Sequence, residues 1–125
     1  MMTDSMATYK VRRGFSFESA HQLPEHPTCS VIHGHSYRGE IEISAGKLSS
    51  NGFVIDFGVL KDITAPYDHA KILTQTAEEL AAEIGTSVLR QMEGQDNRSH
   101  LISVRVILWE TANACAEWEW HVQDK

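Results

Sequence analysis

Alternation of apolar and polar side chains in the first third of the chain predicts two β-strands. From Tyr9 to Phe17 the odd positions are mostly apolar and the even positions mostly polar. The same period returns from Tyr37 to Ala45, after a loop that we expect between Gln22 and Ile32. A period of two is typical of a strand with one buried face. We therefore expect these two runs to pair as antiparallel strands.

A second pair of alternating runs lies near the C-terminus. Apolar side chains fall on even positions from Ile102 to Leu108, and again from Ala116 to Val122. The short stretch from Thr111 to Ala114 separates the two runs, and we expect a turn there. This pattern predicts a second hairpin, with Ile102 on its apolar face.

Between the hairpins the period changes to that of a helix. Thr76 is followed three residues later by Glu79, a helix-start signature, and Gly94 is a candidate C-cap. One helical face between them is apolar: Leu80, Ile84 and Val88.

A shorter helix is predicted just before it. Asp56 is the candidate N-cap, and Phe57, Leu60 and Ile63 would follow in the helix. We expect this helix to stop before Pro66, with Ala65 held in an extended conformation.

The resulting order, β-β-α-α-β-β, predicts a single α+β domain over residues 1–125. Both helices would lie on one face of a four-stranded antiparallel sheet. Such a sheet has two edge strands, and a small protein often protects open edges by closing a barrel with further copies. We expect an oligomer.

Composition narrows the possible partners. The chain has 125 residues, of which 42% are hydrophobic and 22% charged, as in folded globular proteins. A net charge of −6 argues against sequence-independent nucleic-acid binding and favours a small-molecule partner. No signal-like or membrane-spanning apolar run is present, so we expect a cytoplasmic protein. Cys29 and Cys115 are then expected to be free thiols.

Three histidines share the parity of the predicted core face. His21 is in phase with Phe17 if the first strand continues that far, and His33 and His35 are in phase with Tyr37. Neighbouring antiparallel strands would bring such side chains within reach of one ion. Three imidazoles with an open fourth position suit a catalytic zinc site.

The alternative interpretation is that these histidines are ordinary surface or hydrogen-bonded residues, as most isolated His-x-His pairs are. The third histidine in phase, and Cys29 four residues before His33, favour the metal site. The other histidines and the second cysteine are not part of such a motif. We expect His26, His100 and His121 at the surface and Cys115 as a small buried packing residue.

Further candidates for chemistry are a thiol, a dipeptide and a carboxylate. Cys29 is either a reactive thiol beside the metal, a fourth ligand or a structural thiol. Asp68 and His69 could supply a base and a carboxylate that orients it. Glu110 interrupts an apolar face. It could accept two parallel N–H donors from a ligand, or simply reach water at a frayed strand end.

Together these motifs resemble the 6-pyruvoyltetrahydropterin synthase family, and within it the bacterial 6-carboxytetrahydropterin synthase branch of the queuosine (7-deazaguanine) pathway. The Cys-x3-His-Gly-His spacing favours that branch. The segments that carry the resemblance are 15–21, 29–36, 54–57, Leu60–Lys61, Asp68–His69, Thr76–Glu78 and Glu110–Thr111.

The resemblance implies the tunnelling fold, in which three subunits close a twelve-stranded barrel and two barrels stack into a homohexamer with active sites between subunits. It implies 7,8-dihydroneopterin triphosphate as the substrate. The implied roles are zinc binding by His21, His33 and His35, proton transfer by Cys29, Asp68 and His69, and anchoring of the pterin ring by Glu110.

The chain departs from the family in one region. Residues 56–76 form a shorter stretch than is usual, with the first helix shortened by about a turn, and Tyr67 stands where leucine commonly precedes Asp-His. This departure bears on the placement of Asp68 and His69.

Three other functions stay open. A related enzyme could form the pyruvoyl product. A cupin-like module could use His33, His35 and Glu40 in its His-x-His-x4-Glu pattern, although a cupin is almost wholly β. A non-catalytic pterin-binding protein is the third possibility.

Overall fold

The computed structural model describes residues 7–23, 25–26, 31–69 and 72–123. Its elements follow the predicted order, and the sheet has the strand order β1-β2-β3-β4 with all neighbours antiparallel. The α+β architecture expected from the sequence is therefore confirmed. The elements are β1 (Tyr9–His21), β2 (His33–Ala45), α1 (Phe57–Thr64), α2 (Ala77–Met92), β3 (Leu101–Thr111) and β4 (Ala114–His121).

The first hairpin is regular along its whole length. Its register runs from Tyr9 opposite Ala45 to His21 opposite His33 without a shift. Because no extra residue interrupts the pairing, side chains keep their parity from one end to the other. The odd positions Phe17 and Tyr37 are therefore both buried in the core.

Strand β3 is irregular near both ends, in its pairing with β2 at one end and with β4 at the other. Ser103 pairs with Ser44 and Leu101 pairs with Ala45, so Ile102 has no partner in β2. This bulge changes the phase, and Ile102 is 36% exposed, so its predicted place on the apolar face is wrong. The central positions Val104, Val106 and Leu108 are buried as predicted.

Helix α1 begins as predicted and ends differently. Asp56 caps it by accepting a hydrogen bond from the Gly58 N–H at 2.8 Å. The expectation that Ala65 is extended is wrong, since its backbone is helical (φ −54°, ψ −39°) and opens a 3₁₀ turn, Ala65–Tyr67. Pro66 lies in the first positions of that turn, where its missing N–H is not needed.

Helix α2 packs its apolar face against the sheet. Thr76 and Glu79 form the predicted capping box, each accepting a hydrogen bond from the other's backbone N–H. The predicted C-cap is wrong by one residue, because Glu93 occupies it and Gly94 lacks a positive φ. The predicted apolar face is buried: Leu80, Ile84 and Val88.

The opposite face of the sheet is polar and carries alternating charges. Arg12 lies opposite Glu42 and bonds it at 2.8 Å, and Glu42 in turn lies opposite Arg105. Arg105 bonds Glu117 on β4 at 2.6 Å. The core therefore occupies only the helix-covered side of the sheet. None of the helices in the described ranges combines the length and apolar character needed to cross a membrane.

The connection after α1 lies along the outer edge of β1. The His69 N–H donates to the Glu18 carbonyl at 2.7 Å, and the Leu73 N–H donates to the Ala20 carbonyl at 2.9 Å. Ser19 adds a side-chain bond from its hydroxyl to the Tyr67 carbonyl. This connection therefore occupies backbone groups that an edge strand would otherwise leave open.

Candidate metal centre

Three histidines converge at the open end of the first hairpin. His21 ends β1 and lies directly opposite His33, the first residue of β2, while His35 lies one pleat further along, opposite Ser19. Their shared parity puts all three side chains on the helix-covered face. One ring nitrogen from each lies within 4.8 Å of the other two. Among the described residues this is the one group of three or more possible ligands that meets in this way.

Two backbone carbonyls decide which nitrogens face inward. His21 Nε2 lies 2.8 Å from the Gln75 carbonyl oxygen, and His33 Nδ1 lies 2.7 Å from the Val31 carbonyl oxygen. A carbonyl only accepts, so each of these nitrogens carries its proton. In the neutral imidazoles the lone pairs are then on His21 Nδ1 and His33 Nε2, which lie 3.3 Å apart.

That separation fits a tetrahedral metal ion. Two nitrogens each at the usual Zn–N distance of about 2.0–2.1 Å are about 3.3–3.4 Å apart. Two lone pairs facing each other are stabilised by a proton or a cation between them. His35 Nε2 is buried and has no hydrogen-bond partner among the described residues, so it also has an unused lone pair or proton. The chain's own residues therefore fit a metal with three nitrogen ligands.

Electrostatics at His35 favour the neutral, ligating form. Burial lowers the pKa of His35, and the neighbouring His33 and His21 lower it further, while the Glu110 charge acts in the opposite direction. A neutral imidazole is the form that binds a metal.

Sequence reasoning did not find the residues that support His21. Gln75, whose carbonyl accepts from His21, donates its side-chain amide to Glu83 at 2.9 Å. The second Glu83 oxygen accepts from the Tyr67 hydroxyl at 2.7 Å. Burial and the bond to Glu83 raise the pKa of Tyr67, so the phenol stays protonated and donates. One carboxylate on α2 thus holds both Gln75, whose carbonyl contacts His21, and Tyr67, the residue before Asp68.

The Asp68–His69 dipeptide is held against the edge of β1. One Asp68 oxygen accepts from the Glu18 N–H at 2.9 Å, and the other lies 3.2 Å from His69 Nδ1. These contacts, the Glu18 bond first, lower the pKa of Asp68. His69 adopts a left-handed backbone conformation (φ 52°), and its side chain is exposed. It lines a cavity of about 390 Å³ together with His35 and Glu18.

Glu110 owes its position to the second bulge. Trp109 pairs with Cys115 and Thr111 pairs with Ala114, so Glu110 has no opposite residue in β4. Its half-buried carboxylate lines a separate cavity of about 350 Å³ that also contains Thr76. The negative charge of Glu110 raises the pKa of His35. Burial raises the pKa of Tyr37, and the Glu110 charge raises it further. A carboxylate re-aimed by a bulge is a common device next to active sites.

The other cysteine and histidine predictions have mixed outcomes. Cys29 lies outside the described residues. Cys115 is exposed, so its predicted role as a buried packing residue is wrong. It lies on an odd position of β4, and the odd positions of that strand face away from the helices. The prediction of surface histidines is confirmed for His26, His100 and His121.

Strand parity also rules out the cupin-like arrangement. Glu40 lies on an even position of β2, so it points to the polar face, whereas His33 and His35 point to the core face. Its carboxylate lies 3.9 Å from Arg12. Glu40 therefore cannot share a metal with the two histidines.

Comparison with known proteins identifies the family. The sequence profile of the 6-pyruvoyl tetrahydropterin synthase family matches residues 10–120. The chain belongs to this family.

Named relatives are similar over different shares of their length. A 6-carboxy-5,6,7,8-tetrahydropterin synthase of Rickettsia conorii is 38% identical over 81 residues, which cover 60% of this chain and 59% of the relative. The chain thus matches about three fifths of that relative's length. A protein of the same name from Haemophilus influenzae is 32% identical over 143 positions, covering 89% of this chain and 99% of the relative.

Solved structures show the same fold at lower identity. A catalytic-residue mutant of the Plasmodium vivax 6-pyruvoyltetrahydropterin synthase superimposes with a TM-score of 0.72 at 15% identity, covering 93% of this chain and 99% of its own. The Caenorhabditis elegans 6-pyruvoyl tetrahydropterin synthase gives a TM-score of 0.65 at 21% identity, covering 94% and 99%. The expected fold class is confirmed by both.

Proposed function

We propose that the chain is a zinc-dependent lyase that converts 7,8-dihydroneopterin triphosphate and water into 6-carboxy-5,6,7,8-tetrahydropterin, acetaldehyde and triphosphate. It would act in the cytoplasm, in the queuosine (7-deazaguanine) pathway. The observation that carries the proposal is the convergence of three imidazole nitrogens within 4.8 Å, in a chain that the family profile covers from residue 10 to 120. The naming of the relatives as 6-carboxytetrahydropterin synthases supports this product.

His21, His33 and His35 would hold the zinc through His21 Nδ1 and through the Nε2 atoms of the other two. When bound there, zinc would supply Lewis-acid stabilisation of negative charge that develops on the oxygens of the substrate's side chain. The buried position of His21 and its bond to the Gln75 carbonyl keep the ligand geometry fixed before substrate arrives.

His69 and Asp68 would move one proton of the reaction. The Asp68 carboxylate beside Nδ1 favours the tautomer in which His69 Nε2 is free to accept. It also stabilises the imidazolium formed afterwards, since its lowered pKa keeps it ionised. We assign the second proton-transfer group to Cys29, whose thiol is easier to deprotonate near a metal and a histidine than in water.

Glu110 would anchor the pterin ring. A carboxylate accepts two parallel N–H bonds from an edge that resembles guanidine, which the pterin offers. The cavity of about 350 Å³ that Glu110 lines offers space for such a ring, and the Glu110 charge acts on His35. A homohexamer with active sites between subunits would complete this site, and light scattering that shows a fully active 14 kDa monomer would contradict that assembly.

Metal analysis and product analysis on the same preparations test the proposal. The protein should contain about one zinc per chain and should form the carboxylated product from 7,8-dihydroneopterin triphosphate, identified by mass spectrometry. His33→Ala/His35→Ala should lose both zinc and product, whereas the exposed His100→Ala should keep both. Full zinc retention in the double variant would refute the site. A pyruvoyl product would favour the related enzyme, and pterin binding without turnover would favour a binding protein.

A further inference from the structure

The hydroxyl group of Tyr37 is a buried hydrogen-bond donor without a partner. The side chain is fully buried, and no group within the ranges that the structure describes bonds its hydroxyl. Tyr67 shows the usual arrangement, because its hydroxyl donates to Glu83 at 2.7 Å. A buried hydroxyl normally has a partner, since burial removes the hydrogen bonds that it made to water. The unbonded Tyr37 hydroxyl therefore points to a ligand that supplies the missing acceptor.

Aromatic neighbours hold the Tyr37 ring in one position. It stacks on Phe17, with the ring centroids 4.7 Å apart and an interplanar angle of 22°. The rings of His35 and His21 lie 5.6 and 6.5 Å away, at steep angles to the Tyr37 ring. A ring that is packed in this way cannot readily turn its hydroxyl toward another part of the protein.

Tyr37 lies between the candidate metal centre and Glu110. It comes two residues after His35, on the same face of β2. Arg38 pairs with Trp109, so Tyr37 and Glu110 occupy the next positions of the two neighbouring strands. A ligand that extends from Glu110 to the three histidines must therefore pass Tyr37.

A dihydropterin ring has acceptors in the matching place. In the proposed function its guanidine-like edge binds Glu110 and its side chain reaches the metal centre. Between these two groups the ring carries a carbonyl oxygen and the imine nitrogen next to the side chain. Neither atom bears a hydrogen, and their lone pairs converge on one point. A single O–H donor can therefore serve both atoms.

We propose that Tyr37 is a further catalytic residue, whose hydroxyl donates a hydrogen bond to this imine nitrogen of the substrate. The assignment rests on the proposed function for its substrate. When His69 Nε2 takes a proton from the side-chain carbon that is bonded to the ring, the electron pair of that C–H bond forms a C=C bond to the ring. The π pair of the C=N bond then moves onto the nitrogen. The Tyr37 O–H keeps its proton and stabilises this charge, so its hydrogen bond strengthens as the reaction proceeds.

The three tyrosines of the chain allow a matched series of phenylalanine variants. Tyr37→Phe should keep about one zinc per chain and melt at or above the wild type, because an unbonded hydroxyl is removed. 7,8-Dihydroneopterin lacks the triphosphate leaving group, so its Kd can be measured by calorimetry without turnover. Tyr37→Phe should raise this Kd about fivefold and lower kcat with the triphosphate at least about tenfold.

The other two variants are controls for the loss of a hydroxyl. Tyr67→Phe loses the bond to Glu83 and should melt below the wild type. Tyr9→Phe changes an exposed side chain outside the cavities that contain His35 and Glu110, and it should leave Tm, Kd and kcat unchanged.

The outcomes separate this assignment from the proposed function. If Tyr37→Phe melts as far below the wild type as Tyr67→Phe does, or loses its zinc, the hydroxyl is structural and the assignment is overturned. An unchanged kcat in Tyr37→Phe would also overturn it, while formation of the carboxylated product by the wild type would leave the proposed function standing. If Tyr37→Phe weakens the binding of 7,8-dihydroneopterin but the wild type forms no product, the hydrogen bond to the ring stands and the proposed reaction fails.

Discussion

Gly85 is the point at which helix α2 approaches the sheet most closely, and substituting it with alanine should destabilise the protein. A Cβ at this position would lie inside van der Waals contact of three Trp118 ring atoms, the farthest of them 2.8 Å away. Carbon atoms pack at about 3.5–4.0 Å, so the ring would have to retreat by about 1 Å or more. Overpacking costs about 1–3 kcal/mol, and an overlap of more than 1 Å with a large ring belongs in the upper part of that range, about 2–3 kcal/mol, against which alanine gains about 1 kcal/mol in helix propensity.

The net effect is a loss of about 1–2 kcal/mol in the free energy of unfolding. For a chain of this length, 1 kcal/mol corresponds to a shift of about 4 °C in Tm, so Gly85→Ala should melt about 4–8 °C below the wild type. Thermal and urea unfolding followed by circular dichroism measure this shift. Gly94→Ala is the matched control, because its nearest contact would be the Gln91 carbonyl at 3.7 Å, and it should be neutral or slightly stabilising.

A double-mutant cycle identifies the cause. In a Trp118→Leu background the smaller side chain leaves room for the new methyl group, so Gly85→Ala should cost less there than in the wild type. If Gly85→Ala melts at or above the wild type, or costs the same in both backgrounds, the close approach of helix and ring is not what determines stability at this position.

Three further predictions concern the site. Cys29→Ala should keep zinc and fold but lose activity by roughly 10²-fold or more, the scale of a removed acid or base, and loss of zinc as well would make the thiol a ligand. Glu83→Gln should weaken zinc binding about tenfold, because the glutamine NH₂ group donates and cannot accept, so one of the two hydrogen bonds that the Glu83 oxygens accept is lost. A competition titration with a chelator that shows unchanged affinity would contradict this. The lowered pKa of Asp68 means that its carboxylate stabilises the fold above the unfolded value near 3.8 and that this contribution disappears as pH falls through the folded pKa. The urea midpoints of the wild type and Asp68→Asn should therefore differ at pH 7, and the difference should shrink as the pH falls below 3.8.

The parts of the structure that follow local rules were predictable from the sequence. The two strands predicted from the alternation between Tyr9 and Ala45 are confirmed, because β1 and β2 pair without a shift and keep their parity. The start of α2 is read correctly because the Thr76 and Glu79 capping box depends on contacts within one turn. The convergence of His21 with the other two histidines follows from the same unbroken parity.

The features that sequence analysis missed depend on residues far apart in the chain. A bulge adds one residue to one strand only, and nothing in the alternation of β3 shows where Ile102 or Glu110 loses its partner. Gln75 and Glu83, which support His21, lie 54 or more residues from it in the sequence, so no spacing rule reveals them. The helical Ala65 reflects a 3₁₀ turn that overrides the usual effect of a following proline.

The connection that lies along the edge of β1 also bears on how the protein would lose activity and aggregate. The same backbone bonds that hold the dipeptide at Glu18 also cover the edge of the strand, as does the bond between Leu73 and Ala20. If heat or acid releases this connection, the candidate proton-transfer pair is dismantled and an unprotected strand edge is exposed in a single event. Inactivation and aggregation would then begin together, because one stretch of chain prevents both.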